Sequence, residues 1–220
     1  MCGIVGFTDF SENIANDRDI LAKMTEQLAH RGPDAQGLWN EENVALGHRR
    51  LTVIDPEGGR QPMETVRGGR SYVMVYNGEL YNTEDIRQQL ISKGWSFRGW
   101  SDTEVLLDSY IEWGEECLGK LNGIFAFAIW DAQKRTLFLA RDRIGVKPLF
   151  FCEKGSLFLF ASEIKAILSH PSVTAQIGRE GLAEVFVTGP ARTPGCGVFS
   201  GISELKPGYC MSVDNRGVRA

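Results

Sequence analysis

The sequence lacks several features that would place it in whole classes of protein. Its longest unbroken apolar run, at 124–130, is far shorter than the roughly 18 residues that a membrane-spanning helix requires. The amino terminus has no basic segment followed by a long apolar one, so we expect no signal peptide. Basic residues are not in surplus, since 24 Lys and Arg stand against 28 Asp and Glu. Binding to nucleic acid or to an anionic membrane is therefore not expected.

Cysteine and histidine patterns that hold metals or disulfides are also missing. The chain has five cysteines, an odd number, and they are widely scattered without a CxxC pair. This distribution argues against both a disulfide framework and a zinc site. The three histidines, His30, His48 and His170, form no cluster in the sequence. We expect no metal and no cofactor in this chain, and a cytoplasmic location.

The composition is that of a folded globular protein, with 43% hydrophobic and 24% charged residues among 220. Apolar periodicity and turn residues predict one α+β domain with its strands in antiparallel groups. We expect strands at 2–7, 44–54, 72–76, 124–131, 136–141, 149–151, 157–161 and 209–213. We expect helices at 17–29, 83–93, 101–113, 162–169 and 179–186. Ser101 and Glu104 match the S-x-x-E capping box, and Asn82 and Ser162 are expected to cap two further helices.

Cys2 is a candidate nucleophile because of its position. Removing Met1 would leave the cysteine with a free α-amine, whose reference pKa of roughly 7.7–8.0 lies well below the ~10.4 of lysine. One residue would then supply both the nucleophile and the base that takes its proton. Position alone leaves open an ordinary small residue at the start of a strand. If Met1 stays attached, the nitrogen of Cys2 is an amide and cannot act as a base.

Three later segments offer groups that could bind a substrate. Neighbouring residues on a strand face opposite sides, so only one of Arg49 and Arg50 can enter a pocket, and for Arg49 a solvated charge is the better interpretation. The side chain of Asn77 and the N–H of Gly78 could bind an oxyanion, although Asn-Gly alone favours a hairpin turn. Asp102 could bind an ammonium group or serve the start of a helix, and the pattern alone favours neither.

Taken together and in order, these segments resemble the class II glutamine amidotransferases, and within them the glutamine-hydrolysing asparagine synthetases. Each motif is weak by itself, but the ordered set is specific and covers nearly the whole chain. The run from Asn77 to Asn82 favours the asparagine synthetase branch over the sugar-phosphate and purine-pathway members. The motifs are Cys2-Gly3-Ile4-Val5-Gly6, Arg31-Gly32-Pro33-Asp34, His48-Arg49-Arg50-Leu51, Asn77-Gly78-Glu79-Leu80-Tyr81-Asn82, Ser101-Asp102-Thr103-Glu104, Arg141-Asp142-Arg143-Ile144-Gly145-Val146-Lys147-Pro148-Leu149, Phe160-Ala161-Ser162-Glu163-Ile164-Lys165 and Glu204-Leu205-Lys206-Pro207-Gly208.

The resemblance implies a role for each matching residue. Cys2 would attack the side-chain amide of L-glutamine, release ammonia and leave a thioester, with its own α-amine as the general base. Asn77 and Gly78 would hold the oxyanion, and Arg50 would bind the α-carboxylate of glutamine. The remaining residues of the site would be the backbone of Leu51, Thr52, Val53 and Ile54, the α-ammonium ligands Glu79 and Asp102, and Arg31 in a supporting position.

The resemblance also implies a fold and a larger protein. The fold is the N-terminal-nucleophile hydrolase sandwich, with four αββα layers and two antiparallel sheets. Residues 1–190 would form the glutaminase domain, and 191–220 would be its carboxy-terminal segment, leading to an absent ATP-dependent synthetase domain that amidates aspartate. ATP and Mg²⁺ are expected only for that domain. Independently of the resemblance, the turn residues at 214–217 predict a hairpin with a return strand from Val218. The oligomeric state stays open, a homodimer included.

Two other functions remain open from the sequence. An asparagine-synthetase-like enzyme acting on another carboxylate acceptor would have the same glutamine pocket, because the acceptor is bound by the other domain. A non-catalytic binding module of the same fold would usually have lost the nucleophile. The joint presence of Cys2, Asn77, Gly78 and Asp102 therefore favours an enzyme.

Overall fold

A computed structural model of the chain describes residues 1–53, 55, 57–189 and 191–220. The strands in these ranges are β1 (Gly3–Asp9), β2 (Ala35–Glu41), β3 (Val44–Arg50), β4 (Met63–Arg67), β5 (Arg70–Leu80), β6 (Gly123–Asp131), β7 (Thr136–Arg141), β8 (Phe150–Lys154), β9 (Leu157–Ala161), β10 (Ile202–Glu204), β11 (Cys210–Asp214) and β12 (Gly217–Arg219). The α-helices are α1 (Arg18–Glu26), α2 (Thr83–Ser92), α3 (Asp102–Trp113), α4 (Ile164–Leu168) and α5 (Arg179–Thr188), and a short 3₁₀ helix covers Gly114–Gly119. Among the described residues, no helix combines the length and apolar character needed to cross a membrane.

The strands form two six-stranded sheets. The first has the order β10-β8-β9-β1-β3-β2, and the second has the order β12-β11-β7-β6-β5-β4. Every pairing between neighbouring strands is antiparallel. The predicted α+β class with two antiparallel sheets is therefore confirmed.

Three apolar clusters separate four layers of structure. Successive side chains of a strand point to opposite faces of its sheet. In β5, Val73 and Val75 accordingly face a cluster shared with the first sheet, whereas Met74 faces the cluster that contains side chains of α2 and α3. In β1, Ile4 faces the second sheet and Phe7 faces α1 and α4. The layers are thus helix, sheet, sheet and helix, as the αββα sandwich requires.

The predicted strand limits need correction at two places that bear on function. The strand predicted at 44–54 ends at Arg50, where β3 stops. The strand predicted at 72–76 is 11 residues long, and Asn77 and Gly78 lie inside it, paired with residues of β6. The hairpin-turn interpretation of Asn77-Gly78 is therefore wrong. Strands β2, β4 and β10 were not predicted. They are short or lie at a sheet edge, and their sequences lack a clear alternation of apolar and polar residues.

Two of the predicted helix caps serve tertiary contacts instead. The hydroxyl of Ser162 accepts a hydrogen bond from the backbone N–H of Ile4 at 3.0 Å, and α4 begins two residues later without a side-chain cap. The side chain of Asn82 donates to the carbonyl of Lys120 at 3.0 Å and accepts from the N–H of Asn122 at 2.9 Å. Both side chains join distant segments of the chain, which local sequence does not reveal.

The capping box at the start of α3 is only half formed. The hydroxyl of Ser101 accepts a hydrogen bond from the N–H of Thr103 at 3.0 Å, as an N-cap should. The carboxylate of Glu104 turns to the preceding loop, where it accepts from the N–H groups of Arg98 at 3.0 Å and Gly99 at 3.1 Å. The start of α3 is thereby fixed against the loop that leads into it.

The carboxy-terminal segment is built into both sheets. Strand β10 joins the first sheet beside β8, and β11 joins the second sheet beside β7. The predicted hairpin is present, with Val213 opposite Val218 and Asp214 opposite Gly217. The boundary expected at 190 lies outside the described residues.

Candidate active site

Cys2 lies immediately before β1, at the point where this strand and β3 leave the sandwich. The pairing of Gly3 with Arg49 places Cys2 beside the end of β3. Its Sγ lies 3.6 Å from the carbonyl oxygen of Leu51 and 3.4 Å from the N–H of the same residue. The thiol is half-buried, so a small molecule can reach it.

The backbone of Cys2 is held by Arg31, which follows α1. The Nε–H of Arg31 donates to the carbonyl of Cys2 at 2.9 Å, and Nη1 donates to Glu163 at 2.9 Å. Since Glu163 also contacts His30 at 2.9 Å and Lys165 at 3.3 Å, a charged network fixes the guanidinium. Arg31 does not line the cavity described next and contacts the site through the backbone of Cys2.

The thiol of Cys2 opens into a cavity of about 180 Å³ at one end of the sandwich. Residues from β3, β5, α3 and the loops beside them surround it. Most of the site residues expected from the sequence are there. The lining residues are Met1, Cys2, Arg50, Leu51, Val53, Gly59, Gln61, Tyr76, Asn77, Gly78, Glu79, Asp102, Thr103 and Lys147.

Asn77 lines this cavity and carries a hydrogen-bond donor that is unused within the described residues. The residue is buried, and within the described ranges its Nδ2 has no hydrogen-bond partner. A buried donor without a partner costs roughly 1–3 kcal/mol, so such groups are uncommon and call for an explanation. A negatively charged oxygen of a bound molecule would satisfy it.

The N–H of Gly78 is directed to the same region by the alternation along β5. The N–H of Tyr76 donates to the side chain of Gln61 at 2.5 Å, and that of Leu80 donates to Asp102 at 3.2 Å. Alternate N–H groups of a strand point to the same edge, so the N–H of Gly78 lies between these two, beyond the end of β4. A donor pair for one oxyanion can form here from Nδ2 of Asn77 and this N–H.

Glycine is required at position 78 by close packing. A Cβ atom there would lie 2.5 Å from the carbonyl oxygen of Ile124 and 2.5 Å from the ring of Tyr76. Both distances are far below a normal contact, so any side chain would push β5 away from β6. The position of the N–H of Gly78 therefore depends on the absence of a side chain.

Arg50 and Arg49 point to opposite faces of β3, as their adjacency predicts. Arg50 is buried, lines the cavity and donates from Nη2 to the carbonyl of Asp55 at 2.6 Å. Arg49 points to α1, where it pairs with Glu26 and donates to the carbonyl of Thr25 at 3.4 Å. The interpretation of Arg49 as a solvated charge thus needs correction, because the charge ties β3 to the end of α1.

Two carboxylates line the cavity near Asn77. Asp102, the first residue of α3, is buried, and its Oδ2 accepts from the hydroxyl of Tyr76 at 2.9 Å and from the N–H of Leu80 at 3.2 Å. Burial raises the pKa of Asp102, hydrogen bonds from Tyr76, Leu80 and Thr103 oppose this rise, and the charge of Glu79 adds to it. Glu79 also lines the cavity but is exposed to solvent. A cation bound between Asp102 and Glu79 would offset both the cost of burying the charge of Asp102 and the repulsion between the two carboxylates.

His48 is buried and links two strands of the sandwich. Its Nε2 lies 3.1 Å from the carbonyl oxygen of Tyr76, which joins β3 to β5 across the sandwich. Burial lowers the pKa of His48 to about 4, the hydrogen bond to Tyr76 opposes this, and the charge of Arg50 adds to it. The ring is therefore neutral near pH 7 and suits a fixed hydrogen bond rather than proton transfer.

The backbone segment expected to line the pocket does so only in part. Leu51 and Val53 border the cavity. Thr52 does not, because its N–H donates to Asp34 at 2.7 Å and it borders a neighbouring cavity instead. Ile54 lies outside the described residues.

Sequence reasoning missed Gln61, Tyr76 and Lys147 as cavity residues. Gln61 carries no local signal, since it meets the site through a hydrogen bond from the N–H of Tyr76, and Tyr76 is placed there by the pairing of β5 with β6. Lys147 belongs to one of the motifs of the resemblance, but nothing in the motif indicates that its side chain is buried and lines the same cavity as Cys2. Across the described parts of the chain, no group of three or more His, Cys, Asp or Glu residues could hold a metal ion.

The thiol of Cys2 precedes the first strand of an αββα sandwich and faces a cavity lined by amide, guanidinium and carboxylate groups. The fold agrees with that of glutamine phosphoribosylpyrophosphate amidotransferase from Bacillus subtilis. The TM-score is 0.70 at 21% identity, over 99% of this chain and 48% of that one. At this identity the likeness concerns the fold alone.

Comparison of sequences assigns the chain to a family. Residues 1–220 match the glutamine amidotransferase domain family. The chain is 52% identical to asparagine synthetase (glutamine-hydrolyzing) 3 of Bacillus subtilis, over 99% of this chain and 36% of that protein. It is 35% identical to asparagine synthetase B (glutamine-hydrolyzing) of Escherichia coli, over 76% of this chain and 30% of that protein. The chain belongs to the glutamine amidotransferase domain family, and it spans about a third of the length of these curated relatives.

Proposed function

We propose that this chain is the glutaminase part of a glutamine-hydrolysing asparagine synthetase. The observation that carries the proposal is the meeting of Cys2, the unpartnered amide of Asn77, Arg50 and Asp102 around one cavity. Glutamine has a zwitterionic head and a side-chain amide. The cavity offers a guanidinium for the carboxylate, carboxylates for the ammonium group and a thiol for the amide.

In the proposed reaction, Sγ of Cys2 attacks the amide carbon of glutamine and loses its proton to the α-amine that removal of Met1 would expose. Nδ2 of Asn77 and the N–H of Gly78 stabilise the negative oxygen of the tetrahedral intermediate. The C–N bond then breaks, the departing nitrogen takes the proton from the α-ammonium group, and ammonia leaves. Water attacks the thioester, glutamate leaves and the thiol is restored.

Specificity for glutamine follows from two fixed ends. Arg50, Glu79 and Asp102 would hold the head group by its opposite charges, and the thiol of Cys2 lines the same cavity. Asparagine is one methylene shorter, so its amide would not reach the sulfur while its head group keeps these contacts. We therefore expect little release of ammonia from asparagine.

The rest of the proposed function concerns the longer protein. The names of the relatives support a synthetase domain that uses the ammonia to amidate aspartate, with ATP and Mg²⁺ bound there. A cytoplasmic location and assembly into a homodimer are further predictions for the longer protein. None of the described residues of this chain is assigned to ATP or to aspartate.

Release of ammonia from glutamine tests the proposal. The chain, with removal of Met1 confirmed by intact mass, should release ammonia slowly, and Cys2→Ala should abolish this release. A processed wild-type chain that releases no more ammonia than Cys2→Ala would contradict the proposal. The same assay with asparagine is the control for specificity.

A further inference from the structure

Lys147 is a buried cation in the cavity that the proposed reaction does not use. It is only 8% exposed and lines the cavity together with Cys2 and Glu79. Within the described residues, no carboxylate forms an ion pair with its Nζ. Buried lysines are rare unless paired, so an ammonium in this place suggests that it serves a charge that forms in the cavity.

The loop that carries Lys147 is held by hydrogen bonds to its backbone, which fixes the point from which the side chain starts. The carboxylate of Asp142 accepts the N–H groups of Ile144 at 3.1 Å, Val146 at 3.0 Å and Lys147 at 3.0 Å. Arg141 donates to the carbonyl of Lys147 at 2.7 Å. Because both sides of the peptide backbone at Lys147 are bonded, its side chain leaves the loop in a fixed direction.

Cys2 is one of the ionisable groups that act on Lys147, with which it shares the cavity. Burial lowers the pKa of Lys147, and the guanidinium of Arg31 lowers it further. Cys2, Glu79 and Asp142 oppose this by favouring the ammonium form. Electrostatic interaction is mutual, so an ammonium that is stabilised by negative charge on Cys2 stabilises that charge equally.

We propose that Lys147 is a positioning residue whose ammonium group stabilises the thiolate of Cys2 and thereby sets how much reactive nucleophile is present near neutral pH. The thiolate is the attacking form of cysteine, and a neighbouring lysine favours it. The proposal rests on the proposed function in that Cys2 is the nucleophile. Arg50 and Asp102 also line the cavity, but they belong to the proposed binding of the head group.

Alkylation of Cys2 by iodoacetamide tests this role without requiring turnover of glutamine. The thiolate displaces iodide from the reagent, forming one S–C bond, and the rate against pH follows the amount of thiolate. Peptide mass spectrometry separates Cys2 from the other four cysteines. The measurement uses the processed chain, wild type and variants, after far-UV circular dichroism has shown that each is folded.

For Lys147→Met, we expect the half-maximal alkylation rate at a pH about one unit higher than in wild type, the lower end of the effect of one nearby opposite charge. Lys147→Arg should restore the wild-type profile, because it keeps the charge. Lys134→Met is the matched control: it removes an exposed lysine that pairs with Asp131 at the turn between β6 and β7, and should leave the profile unchanged.

An unchanged profile in folded Lys147→Met would overturn the proposal, as would a shift of the same size in Lys134→Met. Lys147→Gln gives a second neutral side chain should the methionine variant fail to fold. Failure of the proposed glutaminase function is distinguishable, because it would show as absent ammonia release in a chain whose Cys2 still alkylates with the expected dependence on Lys147.

Discussion

Replacing Asn77 with alanine should separate catalysis from stability. If Nδ2 of Asn77 binds the oxyanion, its loss removes one of two donors that act in the transition state. The expected fall in kcat is about 10²–10³-fold, with little change in KM. The stability should hardly change, because within the described residues Nδ2 has no partner to lose. We expect the free energy of unfolding to stay within about 1 kcal/mol of wild type, since lost packing and a removed unsatisfied donor offset each other.

Asn82→Ala is the matched control, because it makes the same substitution at an amide that does have partners. The side chain of Asn82 bonds Lys120 and Asn122 at 3.0 and 2.9 Å. Its removal should lower the free energy of unfolding by about 1–2 kcal/mol, since two ordinary hydrogen bonds are lost, and should leave kcat unchanged. The two variants thus predict opposite outcomes in the two assays.

The assays are ammonia release from glutamine and unfolding in urea. The account would be refuted by Asn77→Ala retaining more than a tenth of the wild-type kcat while the protein is processed and folded. It would also be refuted by Asn77→Ala losing as much stability as Asn82→Ala, because the amide would then have a structural role.

Three further predictions concern Arg50, Gly78 and Asp108. Arg50→Ala should raise KM for glutamine about 10–100-fold and Arg49→Ala much less, and equal KM values would mean that the wrong face of β3 was chosen. Gly78→Ala should reduce kcat and lower stability by about 1–3 kcal/mol in urea unfolding, because its Cβ would meet the carbonyl of Ile124; wild-type values would contradict this. Burial, and next the charge of Glu104, raises the pKa of Asp108 to about 7, so its ionisation costs stability as the pH rises from about 4 through 7. Asp108→Asn should then stabilise by about 1–2 kcal/mol at pH 8 and hardly at pH 4, and equal effects at both pH values would refute this.

Local sequence predicted the parts of the site that depend on neighbouring residues in the chain. The opposite faces of Arg49 and Arg50 follow from the geometry of a strand, and both strands and helices near Cys2 have clear apolar periodicity. The resemblance to a family then selected Arg50, Asn77 and Asp102, and the structure brings these three together around the cavity.

The remaining features depend on contacts between distant segments. Asn77-Gly78 reads locally as a turn, and only pairing with β6 keeps it inside a strand. The carboxylate of Asp102 is oriented by a hydrogen bond from the hydroxyl of Tyr76, 26 residues away in the chain. Lys147 reaches the cavity because the side chains of Asp142 and Arg141 form hydrogen bonds to the backbone of its loop. The apolar periodicity of the sequence gives no sign of such bonds.

The most direct test of the account is the intact mass of the processed chain after exposure to an electrophilic analogue of glutamine. We expect a single adduct, located on Cys2 by peptide mapping, whose formation is prevented by excess glutamine and slowed in Arg50→Ala. No adduct on Cys2, or one that glutamine does not prevent, would contradict the claim that this thiol faces a pocket built for glutamine.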